Sequence, residues 1–120
     1  MTGTSIEIGK GVYLVKISEN GEVIWTKTFG GTSANCVGIT DDKGFIILGY
    51  TTLGVNNSWG NVCLIKTDLN GDTIWTSTPS CGSTGSYGID LCITKDRGYL
   101  LAGRTSGDKV NEGGHVFLIK

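Results

Sequence analysis

The sequence predicts an all-β repeat protein, and three observations carry that expectation. An eighteen-residue phrase occurs at 12–29 as VYLVKISENGEVIWTKTF, returns at 62–79 as VCLIKTDLNGDTIWTSTP, and begins again at 116–120 as VFLIK. Glycine supplies 20 of the 120 residues, about twice ordinary usage, and proline only one. The glycines fall between short β-branched and aromatic runs, the pattern of strands joined by turns, and they follow no G-X-Y period. No stretch of useful length has the 3.6-residue period of an amphipathic helix.

Taken in order, residues 1–11 read as the remnant of a loop. Residues 12–17 form a strand with Val12, Leu14 and Lys16 on one face and Tyr13, Val15 and Ile17 on the other. Both faces are largely apolar, as in a strand covered on both sides. Asn20-Gly21 predicts a type I′ turn, whose central residues both take positive φ. Residues 22–29 return as a strand that carries Trp25 and alternates Thr and Lys with apolar residues, so it belongs on the outside of its sheet. Its counterpart at 73–78 follows the turn Asn70-Gly71, carries Trp75 and ends at Pro79, which suits an edge or a strand end. Between the two phrases lie a Gly/Ser/Thr connection at 30–35, a short strand at 36–40, a turn at 41–44, a strong strand at 45–51 and a longer loop at 52–61. The second round repeats these parts as a connection at 80–86, a strand at 87–94, a turn at 95–98, a strand at 99–105 and a loop at 106–115.

The two rounds align residue by residue. Ile39-Thr40 matches Ile93-Thr94, Asp42-Lys43-Gly44-Phe45-Ile46 matches Asp96-Arg97-Gly98-Tyr99-Leu100, Gly49 matches Gly103, and Thr51 matches Thr105. The offset is 50 before the connection and 54 after it, which places a four-residue insertion in the Gly/Ser-rich connection, where lengthening costs little closure entropy. Four strands in about 50 residues is the signature of a β-propeller blade. With strands lettered A to D from the inside outwards, the chain reads as outer strands C-D at 12–29, a complete blade at 34–79, and strands A-B-C at 87–120. That is a fragment of about two blades with one C strand more than two blades need. Such a fragment completes a ring within a longer polypeptide, or by association of three or four copies. In a ring of copies, strands A-B of one chain complete a blade with C-D of the next. The strand at 116–120 is then the expendable one, because the tight Asn20-Gly21 turn ties 12–17 to its partner.

The phrase L-[VI]-K-x-x-x-N-G-[ED]-x-I-W, with D-x-G-[FY]-[IL] and G-x-T in each round, resembles a family of bacterial and archaeal propeller repeats often found in secreted and surface proteins. The N-G-x-x-x-W part is also similar to a motif of quinoprotein-type propellers, in which the Trp docks blade to blade. The resemblance covers 12–120 and implies the fold. It implies no cofactor, because the acidic, basic and metal-binding residues of the quinone site have no counterparts here.

Composition narrows the function classes. Ten Lys and Arg balance eleven Asp and Glu without a stripe of either sign, which argues against nucleic-acid and membrane surfaces. The first residues lack the features of a signal peptide, which points to the cytoplasm, whereas the resembled family points to secretion or the cell surface. Cys63 stands where Tyr13 and Phe117 stand in the other copies and reads as a packing residue. Cys36, Cys92 and Cys81 read as thiols too, with a Cys36–Cys92 or Cys81-containing disulfide as the alternative. Asp68-Leu-Asn-Gly-Asp72 mimics the start of a calcium loop, but the twelfth position is Pro79, so it reads as a turn. Trp25 and Trp75 read as anchors between blades. Trp59, in a loop with Asn56, Asn57 and Asn61, is a candidate platform for stacking a sugar. His115 with Asp108 and Glu112 reads as a polar loop, and no nucleophile with an orienting partner stands out. The expectation is a non-catalytic interaction module whose D–A connections and B–C loops share one rim. A lectin-like binder and a fragment of a propeller enzyme are the alternatives.

Overall fold

The computed structural model describes residues 2–4, 11–30, 33–51, 60–79, 86–105 and 115–119. The described residues form ten strands and no helix. They make three antiparallel sheets, each a meander in which sequence neighbours pair. The first orders β1 (Thr2–Thr4), β2 (Val12–Ile17) and β3 (Val23–Phe29). The second orders β4 (Ser33–Ile39), β5 (Phe45–Thr51), β6 (Asn61–Thr67) and β7 (Thr73–Ser77). The third orders β8 (Ser86–Ile93), β9 (Tyr99–Thr105) and β10 (His115–Ile119).

The sequence repeat is a repeat of register. Gly49 is opposite Cys63 and Gly103 is opposite Phe117. The β-bulge between Ala34 and Cys36 recurs between Gly88 and Asp90, and the one between Lys16 and Ile17 recurs between Lys66 and Thr67. A bulge strengthens local twist, so each sheet is bent at matching points. Thr2–Thr4, expected as loop, pair with β2 instead. Gly3 lies opposite Tyr13, the place that Gly49 and Gly103 take in the other sheets, so β1 stands where the end of a B strand would stand.

The turn at Asn20-Gly21 is not type I′. Only Gly21 has positive φ, at 84°, and Asn20 does not. The Gly21 N–H donates to the Ser18 carbonyl and the Ser18 N–H to the Glu22 carbonyl. This is a type I turn closed by a left-handed residue, whose twist also suits a hairpin. Residues 68–72, 40–44 and 94–98 make the same two hydrogen bonds. Gly71 takes the left-handed position in one, and Lys43 and Arg97 take it in the others, at φ 68° and 66°. One turn geometry thus serves all four described hairpins, with or without glycine.

Packing distinguishes the sheets. The middle sheet is sealed on both faces. Ile47, Cys63 and Ile65 join Val12 and Leu14 in one core, flanked by Trp25, Phe29 and Phe45. Ile46, Leu48, Val62 and Leu64 join Leu101 in another, flanked by Leu91, Ile93 and Tyr99. Each fully buried aliphatic side chain contributes about 2 kcal/mol. In β2, expected to be covered on both faces, only Val12 and Leu14 are buried, while Tyr13 and Ile17 are 37% and 41% exposed, because among the described residues no sheet covers that side. The outer strands β3 and β7 carry mostly exposed side chains. Cys63 is buried, Cys36 half-buried and Cys92 exposed, and all three are free thiols, so Cys36 and Cys92 form no disulfide. Cys81 lies outside the described residues.

Candidate binding site

Neighbouring sheets are joined at two equivalent places. Trp25 on β3 meets Phe45 on β5 edge to face, with centroids 5.7 Å apart and planes at 70°. One repeat later Trp75 on β7 meets Tyr99 on β9 at 6.1 Å and 58°. Such pairs add about 1 kcal/mol to the area they bury. Trp25 also lies over the Asn70-Gly71 turn, where a Cβ on Gly71 would come within 2.9 Å of its ring. Beside it the Lys27 ammonium reaches the Asp72 carboxylate at 2.8 Å. The turn that starts β7 therefore serves as a seat for the preceding sheet. The matching turn at Asn20-Gly21 is exposed, and a Cβ on Gly21 would meet no atom of the described residues within 4 Å.

Beside Phe45 lies a polar latch that the sequence reading missed, and its turn recurs beside Tyr99. Lys66, next to last in β6 after the apolar run Val62–Ile65, is 6% exposed. Its ammonium donates to both oxygens of Asp42 at 3.1 Å and to the Thr67 carbonyl at 2.8 Å, so all three N–H donors are used. Asp42 also accepts from the Thr40 hydroxyl and from the Gly44 N–H at 3.0 Å. The Thr40 hydroxyl, the Gly44 N–H and the Lys66 ammonium, in that order, hold its carboxyl down to about 2. A Cβ on Gly44 would stand 2.1 Å from the Thr67 carbonyl, so only glycine admits the strand this closely. In the third sheet Asp96 accepts from the Thr94 hydroxyl and from the Gly98 N–H at 3.2 Å. The signal was T-x-D-x-G at 40–44 and 94–98, together with the Lys of every V-x-L-x-K phrase. These were aligned as sequence but not joined in space, because 24 residues separate Asp42 from Lys66.

Three hollows adjoin these joints. One of about 150 Å³ lies between the second and third sheets, lined by Asp41, Asp42, Lys66, Arg97 and Tyr99. Its charges are largely matched: Lys66 is spent on Asp42, and Arg97 approaches Asp41 at 3.7 Å. Burial, then the Asp42 and Asp41 charges, push the Tyr99 phenol up. A second hollow of about 310 Å³ lies between the first and second sheets and is mainly apolar, lined by Leu14, Lys16, Ile17, Trp25, Ile39 and Phe45. A third, about 410 Å³, is lined by Thr28, Thr51, Thr73, Thr76 and Thr78 together with Phe29.

Strands β4 and β8 meet at Cys36 and Asp90, where the thiol donates to the carboxylate at 3.6 Å. Burial first, then the Asp90 hydrogen bond and charge, push this thiol up, the opposite of an activated nucleophile. The Asp68 carboxylate caps its own turn, accepting the Asn70 N–H at 2.8 Å and the Asp72 N–H at 3.0 Å. Gly49 and Gly103 sit at matching places in β5 and β9, and a Cβ on Gly49 would strike the Ser33 carbonyl at 2.0 Å. Of the four residues expected to meet a sugar, Asn61 pairs with Thr51 in the β5–β6 ladder, while Trp59, Asn56 and Asn57 lie outside the described residues, as do Asp108 and Glu112.

The sequence matches no family model. No curated protein matches it significantly.

Proposed function

We propose that this chain is a β-propeller repeat module that acts without catalysis, as a scaffold for protein interaction through its loop rim, and that copies associate into a closed ring. The observation that carries this reading is the recurrence of the sheet-to-sheet joint. Trp25 on Phe45 and Trp75 on Tyr99 are one repeat apart, and each brings a tryptophan from an outer strand onto the aromatic that opens the next B strand. A joint that recurs unchanged generates a closed assembly when the rotation it applies divides the circle. Among the described residues the first and third sheets each have three strands and the middle one has four, so the end sheets are open to others. The hollow lined by Thr28, Thr51, Thr73, Thr76 and Thr78 offers polar space for a partner on this reading.

Sedimentation equilibrium across a range of concentrations tests this. The expected mass is three or four times the 12.7 kDa of one chain. A species that stays at one chain's mass up to high micromolar concentration overturns the ring.

A further inference from the structure

We propose that Asn20-Gly21 is a site of spontaneous covalent modification, where succinimide formation converts Asn20 to aspartate and isoaspartate, and that the identical dipeptide at Asn70-Gly71 is shielded from it by the first sheet. This concerns one turn of a single chain and does not rest on the ring. An asparagine followed by glycine is open to this chemistry, since glycine has no Cβ to hinder the nitrogen that attacks. The Gly21 backbone nitrogen attacks Cγ of Asn20. An N–Cγ bond forms, the Cγ–Nδ2 bond breaks, and ammonia leaves with the proton of the Gly21 N–H. Water then opens the ring at either carbonyl. One opening gives aspartate in the ordinary chain, and the other gives isoaspartate, with the chain running through the side chain. No electrons are exchanged with another reactant.

The chain carries its own comparison. Residues 18–22 and 68–72 share one backbone. The Gly21 and Gly71 N–H groups donate to the Ser18 and Asp68 carbonyls at 3.0 Å and 3.1 Å, and both glycines are left-handed, at φ 84° and 82°. Asn20 and Asn70 are both exposed. What differs is the glycine. Gly21 is exposed, and around its Cβ position the described residues leave open space. Gly71 is buried, and a Cβ there would stand 2.8 Å from Lys27 Cγ and 2.9 Å from the Trp25 ring. An asparagine side chain that folds back over the next peptide nitrogen has room at the first turn and meets the Trp25 indole at the second.

The caps reinforce the difference. Asp68 accepts the Asn70 N–H at 2.8 Å and the Asp72 N–H at 3.0 Å, so a carboxylate ties both sides of the Asn70-Gly71 peptide. In the first turn the neutral Ser18 hydroxyl accepts the Glu22 N–H at 3.1 Å. Hydrogen bonds to an ionised group are about twice as strong as those between neutral groups. The second turn therefore resists the backbone rotation that ring closure needs. Charge does not separate the sites. Glu19 and Glu22 flank the first, Asp68 and Asp72 flank the second, and the Lys27 ammonium is already paired with Asp72 at 2.8 Å. While the succinimide is closed, the Gly21 N–H bond to the Ser18 carbonyl is lost. Isoaspartate then lengthens the turn by one backbone atom and adds a negative charge, so the modification acts on the β2–β3 hairpin.

Incubation of the native chain at neutral pH and body temperature over several weeks, followed by tryptic peptide mapping, tests this. Cleavage after Lys16 and Lys27 isolates residues 17–27 with Asn20, and cleavage after Lys66 and Lys95 isolates residues 67–95 with Asn70. The one-dalton gain of deamidation is expected to appear at least tenfold faster in 17–27 than in 67–95, with aspartate and isoaspartate forms of 17–27 separating on chromatography. In guanidinium chloride, with both turns unfolded, the two rates are expected to fall within about threefold of each other. Gly21→Ala is expected to slow the gain in 17–27 at least fivefold, because the attacking nitrogen is then hindered. A native ratio under tenfold, or one that persists in guanidinium chloride, overturns the proposal. So does a gain in 17–27 that Gly21→Ala leaves unchanged, since the side-chain amide is then hydrolysed without the ring.

Discussion

Asp42 gathers four hydrogen bonds from three donor groups on one carboxylate, and most of its side chain is open to water. Its carboxyl is held at about 2 against an ordinary 3.8. A carboxyl whose folded value is depressed contributes stability that is fully present above its unfolded value and is lost as pH falls through the folded one. The contribution from Asp42 is therefore intact above about pH 4 and disappears towards pH 2. Asp42→Asn is expected to lower stability at neutral pH and to flatten this acid limb, read as the urea midpoint at intervals between pH 2 and 7. A wild-type midpoint that is unchanged between pH 4 and 2 contradicts the latch as a stabilising device. Lys66 shows why this residue-scale feature was hard to read. A lysine in an apolar strand ordinarily marks the wet face of a strand, and its burial here depends on a carboxylate that only the folded turn supplies.

At the scale of elements, the four hairpin turns share one backbone and differ in which residue bears the left-handed conformation. Gly21 and Gly71 adopt it without steric cost, while Lys43 and Arg97 hold it against about 1 kcal/mol of strain. Replacing Lys43 with Gly removes the strain and adds freedom to the unfolded chain, for a net gain of a few tenths to about 1 kcal/mol. Gly21→Ala introduces the strain and is expected to cost about 1 kcal/mol. Opposite shifts of the urea midpoint in the two variants are the expected result. The order of strands was legible in the sequence, since the phrase returns after 50 and then 54 residues and each Asn-Gly marks a hairpin. The turn type was not. Asn-Gly is compatible with two turns that differ by one residue in where positive φ falls, and the Lys43 and Arg97 turns, which disclose the shared geometry, carry no glycine at that position. β1 was missed for a related reason. Three residues, Thr2-Gly3-Thr4, are too few to show alternation, and only their register opposite β2 marks them as strand.

For the molecule as a whole, the Cα radius of gyration is 14.9 Å, against about 14 Å for a compact chain of this length, and the extents are 49 × 39 × 23 Å. The body is flattened, and its burial is uneven. Both hydrophobic cores lie against the middle sheet, so β5 and β6 draw on each, whereas β2 and β9 draw on one. Amide exchange is expected to follow this gradient, with Ile46–Leu48 and Val62–Ile65 the slowest and Thr73–Ser77 at least a hundredfold faster. Mass spectrometry of quenched, digested samples resolves the segments, and equal protection of β5 and β7 would contradict a centre built on the middle sheet. The two cores were visible in the sequence as strands apolar on both faces. That β2 is covered on one side only was not, because a sequence shows which faces are apolar and says nothing of which neighbours are present to cover them.

The latch also bears on how the chain finds its pairing. A slip of β6 by two residues against β5 keeps every side chain on its proper face, so the alternation of apolar residues does not oppose it. The latch does. Such a slip brings Leu64 or Asp68 to the Asp42 carboxylate in place of Lys66, leaving the charge unmatched or doubling it. Asp42 and Lys66 thus act together as a proofreading contact for strand alignment, one that rejects errors the hydrophobic pattern tolerates.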